Sequence, residues 1–261
     1  MRTIVLLISI ILYSLYQLNG QGFMVTYQET TATAPSNPNL TQIEDPQIRS
    51  MVESSVMVAL RANMERTSQL LINNFTSLYT VGGYGSQRIS APEVEFENKI
   101  LSGNIDINRR GILTVYKNRH NKLMLAQANK GTDGKEFLIE DLLTEYKWKT
   151  SKKTKEILGY TCIEATTKTE SGANVTAWYA PDIPISDGPS SYWGLPGLIL
   201  YLDVNDGTRI FTCTSIEQVN DMPAIEVPDK GERISRAQYD KLNEELSQNQ
   251  SVTISRYEYM Y

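Results

Sequence analysis

Over most of the chain, apolar and polar residues alternate with a period of two in short runs. The runs are broken by glycine, asparagine, aspartate and proline, as in strands joined by tight turns. Residues 23–31 (FMVTYQETT) read as a first strand. Residues 68–81 form a hairpin around Asn73-Asn74, since asparagine tolerates the left-handed backbone of a tight turn. Residues 82–85 (GGYG) are a loop, without the Lys-Ser/Thr of a phosphate cradle. A polar turn at 106–110 precedes a strand at 111–117, a strand-like run covers 120–129, and 130–135 (KGTDGK) is a turn. Short strands follow at 137–141 and at 146–149, where YKWK alternates. Strands at 160–168 and 174–180 flank a turn at 169–173, and 198–204 pairs with 209–216 through Asn205-Asp206-Gly207.

Two segments change period. Asp45-Pro46 opens a helix near 46–63, with the aspartate as cap and proline at the first turn. Ile48, Met51, Val52, Ser55, Val56, Ala59 and Leu60 give it one apolar or small face, a stripe suited to packing on a sheet. Ser235 caps a second helix at 236–247, with Tyr239, Leu242 and Leu246 on one side. Residues 32–41 are a Pro/Asn/Thr linker, and 251–261 form a tyrosine-rich tail. The expected fold class is α+β, mainly antiparallel β, as an open or half-closed sheet embraced by a helix. The absence of alternating helices excludes a doubly wound α/β fold.

The N-terminus adds an address. Arg2 is followed by an apolar run at 4–16, 13 residues long, and then by polar and small residues through Gly22. That order is a secretory signal peptide at 1–22, and the run falls short of the ~20 residues that span a bilayer. A cut after Gly20 or Gly22 leaves residues 23–250 as one β-rich domain with no later membrane-spanning stretch. Removing Arg2 takes the net charge from -5 to -6. Such mild acidity argues against a nucleic-acid partner, which would need a basic face, and no run of like charges suggests a tail that binds by electrostatics alone. Cys162 and Cys213 in an exported chain predict one disulfide between two strands, with two buried thiols as the alternative.

Candidate chemistry is sparse. His120 is the single histidine, so no multi-histidine metal site can be built and any Ser-His-Asp arrangement would have to use it. No Gly-x-Ser-x-Gly elbow occurs. With 30 acidic residues nothing selects a carboxylate pair. The sequence therefore predicts no enzyme, no metal and no cofactor.

The most distinctive stretch is 178–200, WYAPDIPISDGPSSYWGLPGLIL. With FLIED (137–141), YKWK (146–149), TKEILGYTC (154–162) and EATT (164–167), it resembles the GLPGLI family of exported Bacteroidetes proteins across roughly 110–216. The chain departs from that pattern at 170–174, which lacks a basic segment, and at Ser190-Ser191, where an aromatic is usual. The resemblance implies a periplasmic protein whose half-barrel-like sheet, packed with helices, is similar to lipoprotein carriers. It implies no activity.

Glycines and prolines exclude a regular strand across the motif, which instead forms a rigid crossover running into a buried strand. Two readings stand: a tight corner packing Trp178 and Trp193 on the sheet, or an aromatic lip made by Trp178, Tyr192, Trp193, Gly194 and Pro196. The function expected is non-enzymatic binding or carriage of an apolar or peptide-like ligand. The alternatives are an interaction subunit of an outer-membrane assembly, using Tyr257, Tyr259 and Tyr261 as an exposed patch, and a hydrolase.

Overall fold

The computed structural model describes residues 21–31, 43–62, 65–82, 85–90, 93–96, 99–109, 111–129, 135–220, 222, 224–247 and 253–260. The expected signal peptide up to Gly20, the expected linker at 32–41 and turn at 130–134, and Tyr261 lie outside them. So do the side chains of Ala59, Leu60, Leu246, Tyr257 and Tyr259.

Twelve strands make one sheet: β1 (Gln21–Thr31), β2 (Arg66–Asn73), β3 (Thr76–Val81), β7 (Gly111–Asn118), β8 (Leu123–Asn129), β9 (Glu136–Leu142), β10 (Lys149–Ile157), β11 (Tyr160–Lys168), β12 (Asn174–Ala180), β13 (Leu198–Val204), β14 (Arg209–Asn220) and β15 (Glu232–Ser235). Their spatial order is β10-β11-β12-β13-β14-β1-β2-β3-β7-β8-β9-β15. Every neighbouring pair is antiparallel except β9 with β15. A smaller sheet holds β16 (Thr253–Met260), β6 (Lys99–Arg109) and β4 (Gly85–Ser90), with β5 (Val94–Phe96) also on β6. The helices are α1 (Pro46–Ala62) and α2 (Arg236–Ser247). The protein is thus mostly β, with one large, mainly antiparallel sheet.

Strand order and chain length together force the large sheet to curl. Ten steps separate β9 from β10, about 48 Å in a flat sheet at about 4.8 Å per step. Yet the chain passes from Leu142 straight to Lys149, a reach of at most about 25 Å for seven residue steps. The two flanks of the sheet must therefore approach each other, and residues 143–148 bridge the opening. One core cluster runs along the inner face, from Val25, Leu70 and Ile139 to Ala177, Leu202 and Phe211. The alternation read in the sequence is visible in β12, where Val175, Ala177 and Tyr179 are buried and Thr176 and Trp178 between them are not.

Local signals set the boundaries. Asp45 Oδ1 accepts from the Gln47 and Ile48 amides at 2.8 and 3.1 Å, capping α1. Ser235 and Gln238 form a reciprocal capping pair on α2, with Ser235 N donating to Gln238 Oε1 at 2.8 Å and Gln238 N to Ser235 Oγ at 3.3 Å. Ile48, Val52 and Val56 are buried, and among the described residues α1 packs on β5 of the smaller sheet.

Several expectations need correction. The hairpin loop is Asn74-Phe75, with Asn74 at φ 51°, because Asn73 still pairs with Thr76. The polar stretch at 106–109 is not a turn: β6, the centre of the smaller sheet, runs through it, with Asp106 paired on both sides and Ile107 to Arg109 paired with β4. His120 sits in the turn before β8, exposed and 5.8 Å from the Phe75 ring. Residues 146–148 are not a strand, since Trp148 N turns back to Tyr146 O at 3.1 Å and only Lys149 joins β10. The tail beyond 251 enters the smaller sheet as β16.

The disulfide is absent. Cys162 lies on β11 and Cys213 on β14, with β12 and β13 between them, about 14 Å along the sheet where a bridge needs Cα atoms within roughly 7 Å. Both thiols are buried, and burial pushes Cys162 up to about 11 and Cys213 up to about 12. They are expected to resist alkylation at neutral pH in the folded protein and to react as two free thiols after denaturation without reductant. Recovery of no free thiol would restore the bridge.

Candidate functional site

The crossover from β12 to β13, residues 181–197, is the most tightly stitched non-strand segment described. Ile185 N bonds to Ile183 O at 2.7 Å and Asp187 N to Ile185 O at 2.8 Å, two consecutive three-residue turns around Pro184 and Ser186. The start of β13 then pins it, with Leu198 N on Ile183 O and Ile199 N on Asp187 O, both at 3.0 Å. Asp187 is fully buried, and cations of β7 and the turn after it supply its counter-charge. Lys117 Nζ lies 2.6 Å from Asp187 Oδ1 and donates to Gly188 O at 2.7 Å. Arg119 pairs with the other carboxylate oxygen and also donates to Asn74 O. Burial, and then the Arg119 charge, pull Lys117 well below an ordinary lysine. Burial likewise lowers Arg119 to about 10. Two cations on one carboxylate fix the crossover to the strand opposite it.

From that anchor the motif reaches the bridging segment. Tyr192 is buried and stacks on Tyr146 at 5.1 Å and 23°. Tyr146 OH lies 3.3 Å from Ser191 Oγ. Two indoles exchange bonds with the opposite backbone: Trp193 Nε1 donates to Thr144 O at 2.6 Å, and Trp148 Nε1 to Trp193 O at 2.8 Å. Gly194 sits beside Trp148 with φ +97°, a conformation that favours glycine. Tyr192, Trp193 and Gly194 thus lie together in the crossover, packed against residues 144–148. Pro196 is exposed next to them. Trp178 is elsewhere: it is on the outer face of β12, with Lys155 Nζ 4.4 Å from its ring centre and 4.1 Å from that of Tyr201.

Behind the lip lies a cleft overlaid by α2. One cavity of about 390 Å³ is lined by Tyr146, Tyr192, Ser191 and Met124. A second, of about 230 Å³, is lined by Tyr79, Ser190, Arg209 and Tyr239. Arg236 and Asp240 line both, so the first turns of α2 form a common wall. At the base, buried Glu29 accepts from Arg209 Nε at 2.7 Å and from Tyr79 OH at 3.3 Å, and the Tyr79 and Ser68 hydroxyl oxygens lie 2.6 Å apart.

Burial, and then Tyr146, push Tyr192 up to about 12, while burial and the Glu29 charge raise Tyr79 further. Phenols so raised stay neutral and offer hydrogen bonds and ring faces, not bases. Among the described residues no three His, Cys, Asp or Glu side chains gather to hold a metal. Tyr146, Arg209, Arg236 and the Lys117-Asp187-Arg119 cluster escaped the sequence reading. Only Asp187, in the ISDGP block between two prolines, and Tyr146, in the YKWK block, had a signal.

A family model described as "Protein of unknown function (Porph_ging)" matches residues 166–201, which hold β12, the crossover and the start of β13. No curated protein matches the sequence. Among solved structures, PNGF-II in its P21 crystal form is similar at 16% identity and TM-score 0.49, over 85% of this chain and 33% of that one. The chain spans about a third of the length of PNGF-II. An uncharacterized conserved protein from Thermus thermophilus is similar at 6% identity and TM-score 0.39, over 87% of this chain and 98% of that one. Similarity of this order assigns neither a fold family nor an activity.

Proposed function

We propose that the chain is an exported, non-enzymatic binding protein of GLPGLI type, acting in the periplasm, whose half-barrel-like sheet holds a peptide-like ligand in the cleft under α2. The supporting observation is the composition of that cleft: ring faces of Tyr146 and Tyr192, serine hydroxyls, and the guanidinium groups of Arg209 and Arg236 around joined cavities. Such sites combine apolar contact with a few placed polar groups. Arg209 is held by Glu29 and Arg236 by Asp240, and hydroxyls and charged pairs beside ring faces suit the peptide-like half of the expected ligand better than the apolar half.

Native mass spectrometry of the protein purified without detergent from its own cells tests this. A ligand of defined mass is expected on the wild type, and its occupancy should fall at least about tenfold in Arg236→Gln, the loss of one charge-assisted hydrogen bond. A bare wild-type protein, or equal occupancy in the variant, would sink the proposal. The same spectrum reads the mature N-terminus, expected at Gln21 because Gln21 and Gly22 are both paired within β1.

A further inference from the structure

A second concentration of unusual residues lies along the β10 edge of the sheet, where its groove shares Thr144, Tyr146, Thr169 and Glu170 with the larger cavity of the cleft. Lys147, Lys149, Lys152, Lys153 and Lys155 fall within positions 147–155 with no acidic residue among them, in a chain of net charge -5. The structure makes this run an edge: β10 closes one flank of the large sheet, and residues 149–154 are all exposed. Two of the lysines are engaged. Lys153 pairs with Glu164 at 3.0 Å, and Lys155 covers the Trp178 and Tyr201 rings. Among the described residues Lys147, Lys149 and Lys152 have no acidic partner within ion-pair distance.

The shape of the edge narrows the partner. Thr150 pairs with Ala165 and Thr154 with Ile163, so residues 151–153 bulge off the ladder opposite Glu164 alone. A bulge of that kind interrupts the row of backbone groups that an added strand would need. Recognition must then run through side chains. Beside the edge lies a groove of about 790 Å³, lined by Lys147, Lys149 and Lys168 and by the hydroxyls of Thr166, Thr167 and Thr176. Of its acids, Glu145 is already paired with Lys122, leaving Glu170 and Asp206. Cations for acid groups, hydroxyls for hydroxyls and two aromatic faces therefore adjoin one another.

We propose that the 147–155 edge and its groove bind an acidic polysaccharide, with carboxylates or sulfates on the lysines, sugar hydroxyls on the threonines, and sugar rings against Trp178 and Tyr201 as Lys155 moves onto an acid group. Lysine-rich runs of this length form electrostatic patches for sulfated polymers. The overall negative charge confines attraction to the patch.

Calorimetric titration of the purified protein with a heparin hexasaccharide and with oligogalacturonate tests the assignment. Binding is expected to weaken about tenfold or more as salt rises from about 50 to about 200 mM, because the interaction is largely ionic. The double variant Lys149→Gln/Lys152→Gln should weaken it about tenfold again, while Lys230→Gln at an exposed site elsewhere should not. Trp178→Ala should reduce affinity for both sugars. No binding at low salt, equal loss in Lys230→Gln, or equal affinity for polyglutamate or single-stranded DNA would overturn the proposal. Lys149, Lys152 and Lys230 are exposed, so those variants keep the core intact, whereas Trp178 packs against the core and the affinity of Trp178→Ala is read beside its urea midpoint.

Discussion

Asp187→Ala is expected to lower folding stability by about 3–5 kcal/mol, because it leaves one fully buried cation and one largely buried cation without their carboxylate. Lys117 and Asp187 are both inaccessible, and the Arg119 side chain is 9% exposed. Removing only one member of such a cluster leaves the others desolvated and unpaired, whereas replacing the members together by apolar groups does not. Lys117→Met in the same chain should therefore recover part of the loss, a coupling that a double-mutant cycle in urea would read. A domain of ordinary stability, about 5–15 kcal/mol, loses much of its margin in the single variant. The pH dependence has a definite sign. Lys117 is already held below its ordinary 10.5, so the unfolded chain binds its proton more readily than the folded one. The variant should then gain stability as pH rises through the interval between the depressed value and 10.5. A loss under about 1 kcal/mol would mean that the carboxylate contributes nothing net, as some buried pairs do.

Legibility in the sequence followed the range of the interactions. Period-two alternation with Asp-Gly and Asn turns was enough for β11 to β14, because those signals lie within the strands and turns themselves. Both helices were legible from their caps, Asp45 and Ser235. Failure began where partners are distant in sequence. YKWK at 146–149 has the alternation of a strand, yet Tyr146 and Trp148 are held by Tyr192 and Trp193, more than forty residues later. Asp106 to Arg109 have the polarity of a turn, yet β4 claims their backbone, with β16 joining at Asp106. The disulfide failed for the same reason, since nothing local says that two strands separate Cys162 from Cys213. Of the expected lip, Tyr192, Trp193 and Gly194 cluster because one rigid segment carries them. Trp178 does not, because strand alternation turns it to the other face from Ala177 and Tyr179. The cleft itself was invisible, as its wall comes from α2 and its base from β1, β3 and β14.

The two glycines of the GLPGLI segment should separate sharply in mutagenesis, with Gly197→Ala far more damaging than Gly194→Ala. Gly194 has φ +97°, and an added Cβ would find only the Trp148 ring, at 3.5 Å from Nε1. Its cost is conformational strain, about 1–2 kcal/mol. Gly197 has no such φ; what it lacks is space. A Cβ there would stand 2.3 Å from Ala180 O, 2.7 Å from Ala180 C and 3.0 Å from Pro181 Cα. All three are backbone atoms where β12 enters the crossover, so no side chain can swing aside. Relief requires the two ends of the crossover to part, which pulls on the Leu198 and Ile199 bonds and on the packing of Leu195 and Leu198. The expected loss is about 3 kcal/mol or more, the upper end for overpacking. Gly159→Ala is a suitable reference, with φ +80° and nothing within 4 Å, and should behave like Gly194→Ala. Urea midpoints for the three variants decide the matter. A Gly197→Ala protein as stable as the Gly159→Ala protein would show that the crossover can widen freely. The motif would then not be the rigid mount that holds Tyr192 over the cleft.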